Sequence, residues 1–151
     1  WLTSIIKKHG FTIGAEIGVR RGRNMFELMR RNKALHIYAV DNWYGQTFAR
    51  AKREFMRNKA AYKDRITVLH MTSEEAAKQV PDGSLDFVFI DADHSYESAK
   101  QDILLWTPKA RPGGIVCGHD VHYEGVKQAL DEVCPGYIDV GIDHCWMKPY
   151  E

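Results

Sequence analysis

Acidic side chains and histidines recur in this sequence directly after short apolar runs: Glu16 in "AEIG", Asp41 in "YAVDNW", Asp91, Asp93 and His94 in "FVFIDADHSYE", His119 and Asp120 in "IVCGHD". Groups of this kind accept ribose hydroxyls, take a proton from a weakly nucleophilic hydroxyl, or hold a divalent cation. Aspartates gathered at one place repel each other unless a cation or a proton neutralises them. A lone histidine in a loop is more often structural. Several beside three aspartates are what point to chemistry.

The first run continues into E-x-G-x-x-x-G, with Glu16, Gly18 and Gly22. A dinucleotide-binding turn, G-x-G-x-x-G, aligned on Gly18 needs glycine where Glu16 and Arg21 stand, so that reading fails at two positions. The two glycines let the chain turn tightly, while a carboxylate closes the strand. Such a carboxylate repels a pyrophosphate and suits a cationic ligand.

Asp41 lies one strand-helix-strand unit further on, where an acid accepts both hydroxyls of a ribose, each charged hydrogen bond contributing ~1.5–3 kcal/mol. Its structural alternative is a helix N-cap. Trp43 either covers an adenine face or packs in the core. Thr72, Ser73 and Glu74 meet the adenine edge or, with "TSEE", cap the next helix, and capping is the stronger reading. For Asp93 and His94 the structural reading is a cap for the helix at "SYESAKQDI".

Strands must end where these residues begin if they are to meet. Leu2, Ile5 and Ile6 suggest a short amphipathic helix closed by Gly10. Apolar runs then alternate with helical patterns: "FTIGAEI", "NMFELMRRN", "HIYAVD", "QTFARAKREFMRNKAAY", "ITVLHM", "SEEAAKQV", "LDFVFID", "ESAKQDILLW", a turn at "RPGG", "GIVCGHD" and "GVKQALDEV". This order predicts an α/β fold, a Rossmann-like doubly wound sheet that is mostly parallel. Its strands should end at Glu16, Asp41, Met71, Asp91 and His119. Only a few residues around Asp143 separate "GYIDVGI" from "HCWMKPY", too few for a crossover helix, so the C-terminal strand containing Trp146 should run antiparallel. Ligands of such sheets bind beyond the carboxyl ends of the strands, where the strand order reverses.

The length of 151 residues predicts a single domain, residues 1–151. A net charge of +1 provides no overall field for nucleic acid or anionic membrane, and the basic stretch "RAKREFMRNK" reads as a solvated helix face. Cys117, Cys134 and Cys145 form no C-x-x-C pair, which argues against a disulfide scaffold or a thiolate zinc site and fits a reducing, cytoplasmic setting. No apolar run reaches membrane-spanning length. The first residue is Trp rather than Met, as expected of a trimmed or partly ordered chain.

Taken together, "AEIGVRRG", "YAVDNW", "LDFVFIDADHSYE" and "PGGIVCGHD" resemble class I S-adenosylmethionine-dependent methyltransferases over nearly the whole chain. Within that class, the downstream segments resemble the small group of macrocin and related sugar O-methyltransferases. The resemblance implies S-adenosylmethionine as cofactor, approached by Gly18, Gly22 and Asn24, with Glu16 accepting from its amino group. Asp41, Trp43, Thr72, Ser73 and Asp91 complete the implied cofactor set. It further implies a divalent cation, Mg2+ or another, on Asp91, His119 and Asp120, and Asp93 as general base, with His94 able to serve the same end. His119 stands where that group usually has aspartate, and a histidine shifts preference toward transition ions.

The activity so implied is O-methylation of a small hydroxylated acceptor such as a sugar. Methylation of nitrogen or of a macromolecule, and a non-catalytic S-adenosylmethionine- or nucleotide-binding module, are the alternatives. The expected partner is the small-molecule acceptor, without membrane or nucleic acid. No insertion forms a substrate cap, so a partner subunit, as in a homo-oligomer, or an N-terminal segment is expected to complete the pocket.

Overall fold

The computed structural model describes residues 1–151. Helix α1 (Leu2–His9) buries Leu2 and Ile6 and stops at Gly10, whose φ of 65° closes the helix. There follow β1 (Ile13–Ile17), α2 (Arg23–Arg31), β2 (His36–Val40), α3 (Gln46–Lys59), β3 (Ile66–Leu69) and α4 (Ser73–Ala77). The second half comprises β4 (Leu85–Ile90), α5 (Tyr96–Trp106), β5 (Ala110–Gly118), α6 (Glu124–Val133), β6 (Ile138–Asp139) and β7 (Trp146–Pro149).

The seven strands form one sheet in the order β3-β2-β1-β4-β5-β7-β6. Strands β1 to β5 pair parallel, and β7 runs antiparallel to both β5 and β6, as the short connection at Asp143 requires. The strands end within two residues of the expected exits.

Strand β4 shows why the sheet is central: all six of its residues are buried. Val88 and Ile90 pack with Trp106, Leu130 and Trp146 on one side, while Phe87 and Phe89 pack with Ile6, Met25, Met29 and Phe55 on the other. A strand buried on both faces reads as a continuous apolar run, which is what "FVFI" shows.

The N-terminal ends of the strands are pinned by Asp86. Its Oδ2 accepts from the amides of Thr12 (2.6 Å) and Ile13 (2.9 Å), and its Oδ1 accepts from Nε of Arg111 (2.6 Å). The "RPGG" turn is corrected by the structure: these residues already belong to β5, where the pairing with β4 slips between Leu85 and Phe87. Pro112 has no amide to donate. Gly113 and Gly114 instead pair with Tyr150, through Gly113 N to Tyr150 O (2.8 Å) and Tyr150 N to Gly114 O (2.9 Å).

No helix is long and apolar enough to cross a membrane. Cys117, Cys134 and Cys145 are all buried free thiols.

The strand order reverses between β1 and β4, so a crevice opens above their carboxyl ends. Gly18 N bonds to Val40 O (2.9 Å) and Asp91 N to Ile17 O (2.8 Å), which carries the sheet register into the two exits.

Candidate active site

A cavity of about 1650 Å³ lies over these exits, lined by residues following β1, β2, β3, β4 and β5. One small molecule typically fills ~300–1,000 Å³, so the space suits two ligands side by side. The start of α1 (Trp1 to Ser4) and the β6–β7 connection (Ile142, Asp143, Cys145) form walls that were not read from the sequence.

Above β1, Glu16 is 2% exposed and its Oε2 accepts from Asn24 Nδ2 (2.8 Å). Burial pushes its carboxyl up to about 8, and nearby Asp91 adds to the shift against the bond from Asn24. No cationic side chain pairs with it. Gly18 has φ 87°, and a Cβ there would lie 2.0 Å from Asp91 O, so the first turn packs directly on the β4 exit.

Gly22 lies outside the cavity wall. It begins α2 at φ 74°, and a Cβ there would meet the rings of Phe26 (2.7 Å) and Phe55 (2.8 Å). Its part is to shape the turn, a correction to direct cofactor contact.

Above β2, Asp41 lines the cavity and braces the turn, accepting from Arg20 N (2.7 Å) and Trp43 N (2.6 Å). Trp43 also departs from expectation: it is 5% exposed and lies outside the cavity wall. Its Nε1 donates to Arg20 O (2.7 Å), and its ring packs on Phe55 (5.2 Å) and His70 (5.5 Å). The indole is held in the core, and Asn42 takes the place facing the cavity.

After β3, Thr72 and Glu75 form a reciprocal capping box at the start of α4, as the capping reading anticipated. Ser73 spends its proton on Asp102 Oδ1, while its oxygen accepts from Trp106 Nε1 (2.8 Å). Asp102 was missed in the sequence. Its only signal there is an acid directly before the apolar run "ILLW".

The exits of β4 and β5 hold the titratable cluster. Burial raises Asp91 to about 6, with neighbouring Asp120 adding to the effect and His119 opposing it. Asp120 is buried with φ 67°. Its Oδ2 meets His94 Nε2 (2.6 Å) and its Oδ1 meets His119 Nδ1 (2.8 Å). The His94 ring stacks on Tyr123 with centroids 4.6 Å apart. Loop Asp120–His122 is tied down by Val121 N to His144 O (3.0 Å) and Tyr123 N to Asp120 O (2.9 Å).

Asp91, His94 and Asp120 each offer a ligand atom, all within 4.8 Å of one another. This corrects the expected metal set, since the structure gathers His94 rather than His119 with the two aspartates. His119 Nδ1 is drawn to the far oxygen of Asp120 and stands 4.0 Å from Asp91. Asp93 is exposed, and its Oδ1 accepts from Ser95 N (2.8 Å), the local bond of a turn leading into α5. Its hydrogen bonds with Ser95 hold it below the usual carboxylate range, which weakens it as a base.

The sequence profile of the family described as "Methyltransferase domain" matches residues 15–121, from β1 through the β5 exit. The chain belongs to this family. It is a class I S-adenosylmethionine-dependent methyltransferase domain.

This methyltransferase domain is 32% identical over 109 residues to an uncharacterized protein, y4gI, of Sinorhizobium fredii. That match covers 66% of the chain and 12% of the relative's length. A candidate caffeoyl-CoA O-methyltransferase of Staphylococcus aureus has a similar fold at TM-score 0.76 and 18% identity, over 97% of this chain and 78% of that one. The S-adenosylhomocysteine-bound Podospora anserina methyltransferase PaMTH1 gives 0.75 and 17%, over 100% and 76%.

The residues present fit this cofactor. Glu16 is a buried carboxylate lacking a cation, and an ammonium would supply one. Asp41 accepts hydrogen bonds at the neighbouring exit.

Proposed function

We propose that this domain transfers the methyl group of S-adenosylmethionine to a hydroxyl oxygen of a small acceptor, a sugar or similar molecule, with His94 taking the proton. The observation that carries the reading is the His94–Asp120 pair at the cavity. The bound cofactor supplies an electrophilic methyl carbon, and the acceptor must lose its proton as the new bond forms.

A proton on Nε2 of His94, donated to Asp120, leaves the lone pair on Nδ1, the tautomer a base requires. Tyr123 beneath the ring fixes its plane. Asp120 in turn is fixed by His119 and by its own loop, so the imidazole is oriented before any acceptor arrives. Asp93 is the weaker candidate, because its carboxylate already serves Ser95.

The closeness of the three ligand atoms supports a second reading, in which Asp91, His94 and Asp120 hold a divalent ion. Such an ion lowers the pKa of a hydroxyl bound to it. One imidazole with two carboxylates suits manganese, iron or zinc better than magnesium. His94 would then be a ligand, and Asp93 would be left as base.

Methyl transfer to a panel of sugars and phenols, with amines alongside, tests the reading. His94→Gln should lose about a hundredfold or more of turnover, with affinity for S-adenosylhomocysteine held within about threefold, and chelator should leave the wild type active. Turnover abolished by chelator and restored by manganese selects the metal reading. Methylation of amines alone, or full turnover in His94→Gln, overturns the proposal.

A further inference from the structure

The net charge of +1 conceals a division. Residues 1–70 hold fifteen Lys and Arg against five Asp and Glu, a net +10, whereas residues 71–151 hold six against fifteen, a net −9. The fold turns this split along the chain into two faces. Helices α1, α2 and α3 pack on one side of the sheet through Ile6, Met25 and Phe55, and α4, α5 and α6 on the other through Ala76, Trp106 and Leu130. One side of the molecule is basic and the other acidic.

Helix stability accounts for only part of the basic side. Cations in the last turns of α1 to α3 suit the helix dipoles, but Arg23 opens α2, where a cation opposes the dipole and no acid offsets it. On α3, Arg50, Arg53 and Arg57 share one exposed face at i, i+3 and i+7, and only Arg57 lies in the last turn. Like charges at such spacings repel and weaken a helix. No carboxylate pairs with them: Glu27 serves Arg30 and Arg31, and Glu54 serves Arg21. A row that repels itself gains from an anion brought by a partner.

The chemistry of the face selects that partner. Nine of the ten arginines fall within residues 1–70, and a guanidinium pairs with phosphate through two parallel hydrogen bonds. Beside the row, Tyr44 is 85% exposed and Phe48 is 41% exposed at the start of the same helix, where a base can stack. A lipid surface fits less well, because α1, α2 and α3 spend their apolar faces on the core and none is left to sink into a bilayer.

We propose that the α1–α3 face docks a single-stranded nucleic acid, with phosphates on the arginine row of α3 and a base on Tyr44. The acidic face opposite repels the strand, so docking is one-sided. Tyr44 and the row lie outside the cavity wall, which separates this function from methyl transfer. The stretch "RAKREFMRNK", read from sequence as a solvated face, is the centre of this surface.

Fluorescence anisotropy of a labelled oligouridylate, titrated with the whole chain, is the test. Binding at ~50 mM salt should weaken at least ~tenfold by ~200 mM. Reversing the row together, as Arg50→Glu, Arg53→Glu and Arg57→Glu, should cost ~tenfold or more in affinity and flatten the salt dependence. Tyr44→Ala should cost ~fivefold and leave the salt dependence as it was. Should the combined reversal fail to fold, Arg50→Gln and Arg53→Gln should each flatten the salt dependence by about one phosphate's share. Four outcomes overturn the proposal: unchanged affinity in the folded reversal; equal competition by a duplex; binding to phosphatidylserine vesicles with none to the oligonucleotide; and salt-reversible self-association of the protein alone, which would give the row to the acidic face of a second copy.

Discussion

Nε2 of His94 sits 2.6 Å from Oδ2 of Asp120, while the other oxygen of the same carboxylate meets Nδ1 of His119 at 2.8 Å. One buried acid therefore orients two imidazoles, and both bonds need its oxygens as acceptors. An amide in that position offers one oxygen and one NH2 group, so one imidazole must change tautomer or turn away. Asp120→Asn should lower turnover about a hundredfold, with little change in cofactor affinity. The backbone favours this variant as a probe: φ at position 120 is 67°, which asparagine tolerates better than alanine. Steady-state rates beside S-adenosylhomocysteine titration check it, and an unaltered rate would leave Asp120 only a loop anchor.

Glu16 predicts a proton linkage. Its folded carboxyl is raised to about 8 by burial, whereas in the unfolded chain it titrates near 4.5. Between these values the native state holds a proton that the unfolded state has lost, so this group's contribution to stability falls as pH rises from 4.5 to 8. A cationic ligand favours the ionised form. Binding of S-adenosylmethionine near pH 7 should thus release a proton, seen as a buffer-dependent heat in calorimetry, and the release should fade above pH 9. Glu16→Gln should abolish the release, weaken binding, and make the ligand-free protein more stable above pH 8, by an amount on the order of a few kcal/mol. A buffer-independent binding heat at pH 7 in the wild type would count against Glu16 as the ammonium's partner.

The fold was legible because each parallel strand announced itself by an apolar run, and β1, β2 and β4 a second time by the acid at their ends. "LDFVFID" could hardly be anything but a strand buried on both faces. What escaped were features set by partners distant in sequence. Trp43 was read toward adenine because it follows Asp41, yet Phe55 and a carbonyl at Arg20 hold it in the core. The resemblance puts His119 among the metal ligands, but its Nδ1 meets Oδ1 of Asp120, and His94 is the imidazole gathered with Asp91 and Asp120. Asp102 was invisible because only the packing of α4 on α5 brings it against Ser73. Adjacency along the chain indicated which strand exits matter, whereas the direction of each side chain depended on tertiary contacts.

Gly18 and Gly45 make a controlled pair. Both have φ near 85°, at 87° and 84°, but a Cβ on Gly18 would lie 2.0 Å from Asp91 O while Gly45 has nothing within 4 Å. Gly45→Ala should therefore cost only backbone strain, ~1–3 kcal/mol at φ 84° and ψ 163°, a region essentially reserved for glycine. Gly18→Ala adds a clash with main chain that cannot swing away, and it should destabilise further and displace the β4 exit that carries Asp91. Chemical denaturation of the two variants measures the difference. Equal costs would mean that the turn at Gly18 moves freely.

Asp41 carries two duties that one substitution would confuse. Its oxygens hold the amides of Arg20 (2.7 Å) and Trp43 (2.6 Å), and each oxygen retains a lone pair for a ribose hydroxyl. Asp41→Ala removes the acceptor of both amides and loosens the turn; water replaces the bond at the exposed Arg20 amide, whereas the half-buried Trp43 amide, left unsatisfied, costs ~1–3 kcal/mol. Weaker cofactor binding in that variant would accordingly not prove ribose contact. Pairing the variant with 2′-deoxy-S-adenosylhomocysteine separates the duties: the wild type should lose about tenfold in affinity on removal of the 2′-hydroxyl, and Asp41→Ala should bind both ligands alike. A discrimination that persists in Asp41→Ala would make Asp41 a brace for the glycine turn, with the ribose read by another group. Asn42, its neighbour in the cavity wall, is the first to test by the same ligand pair.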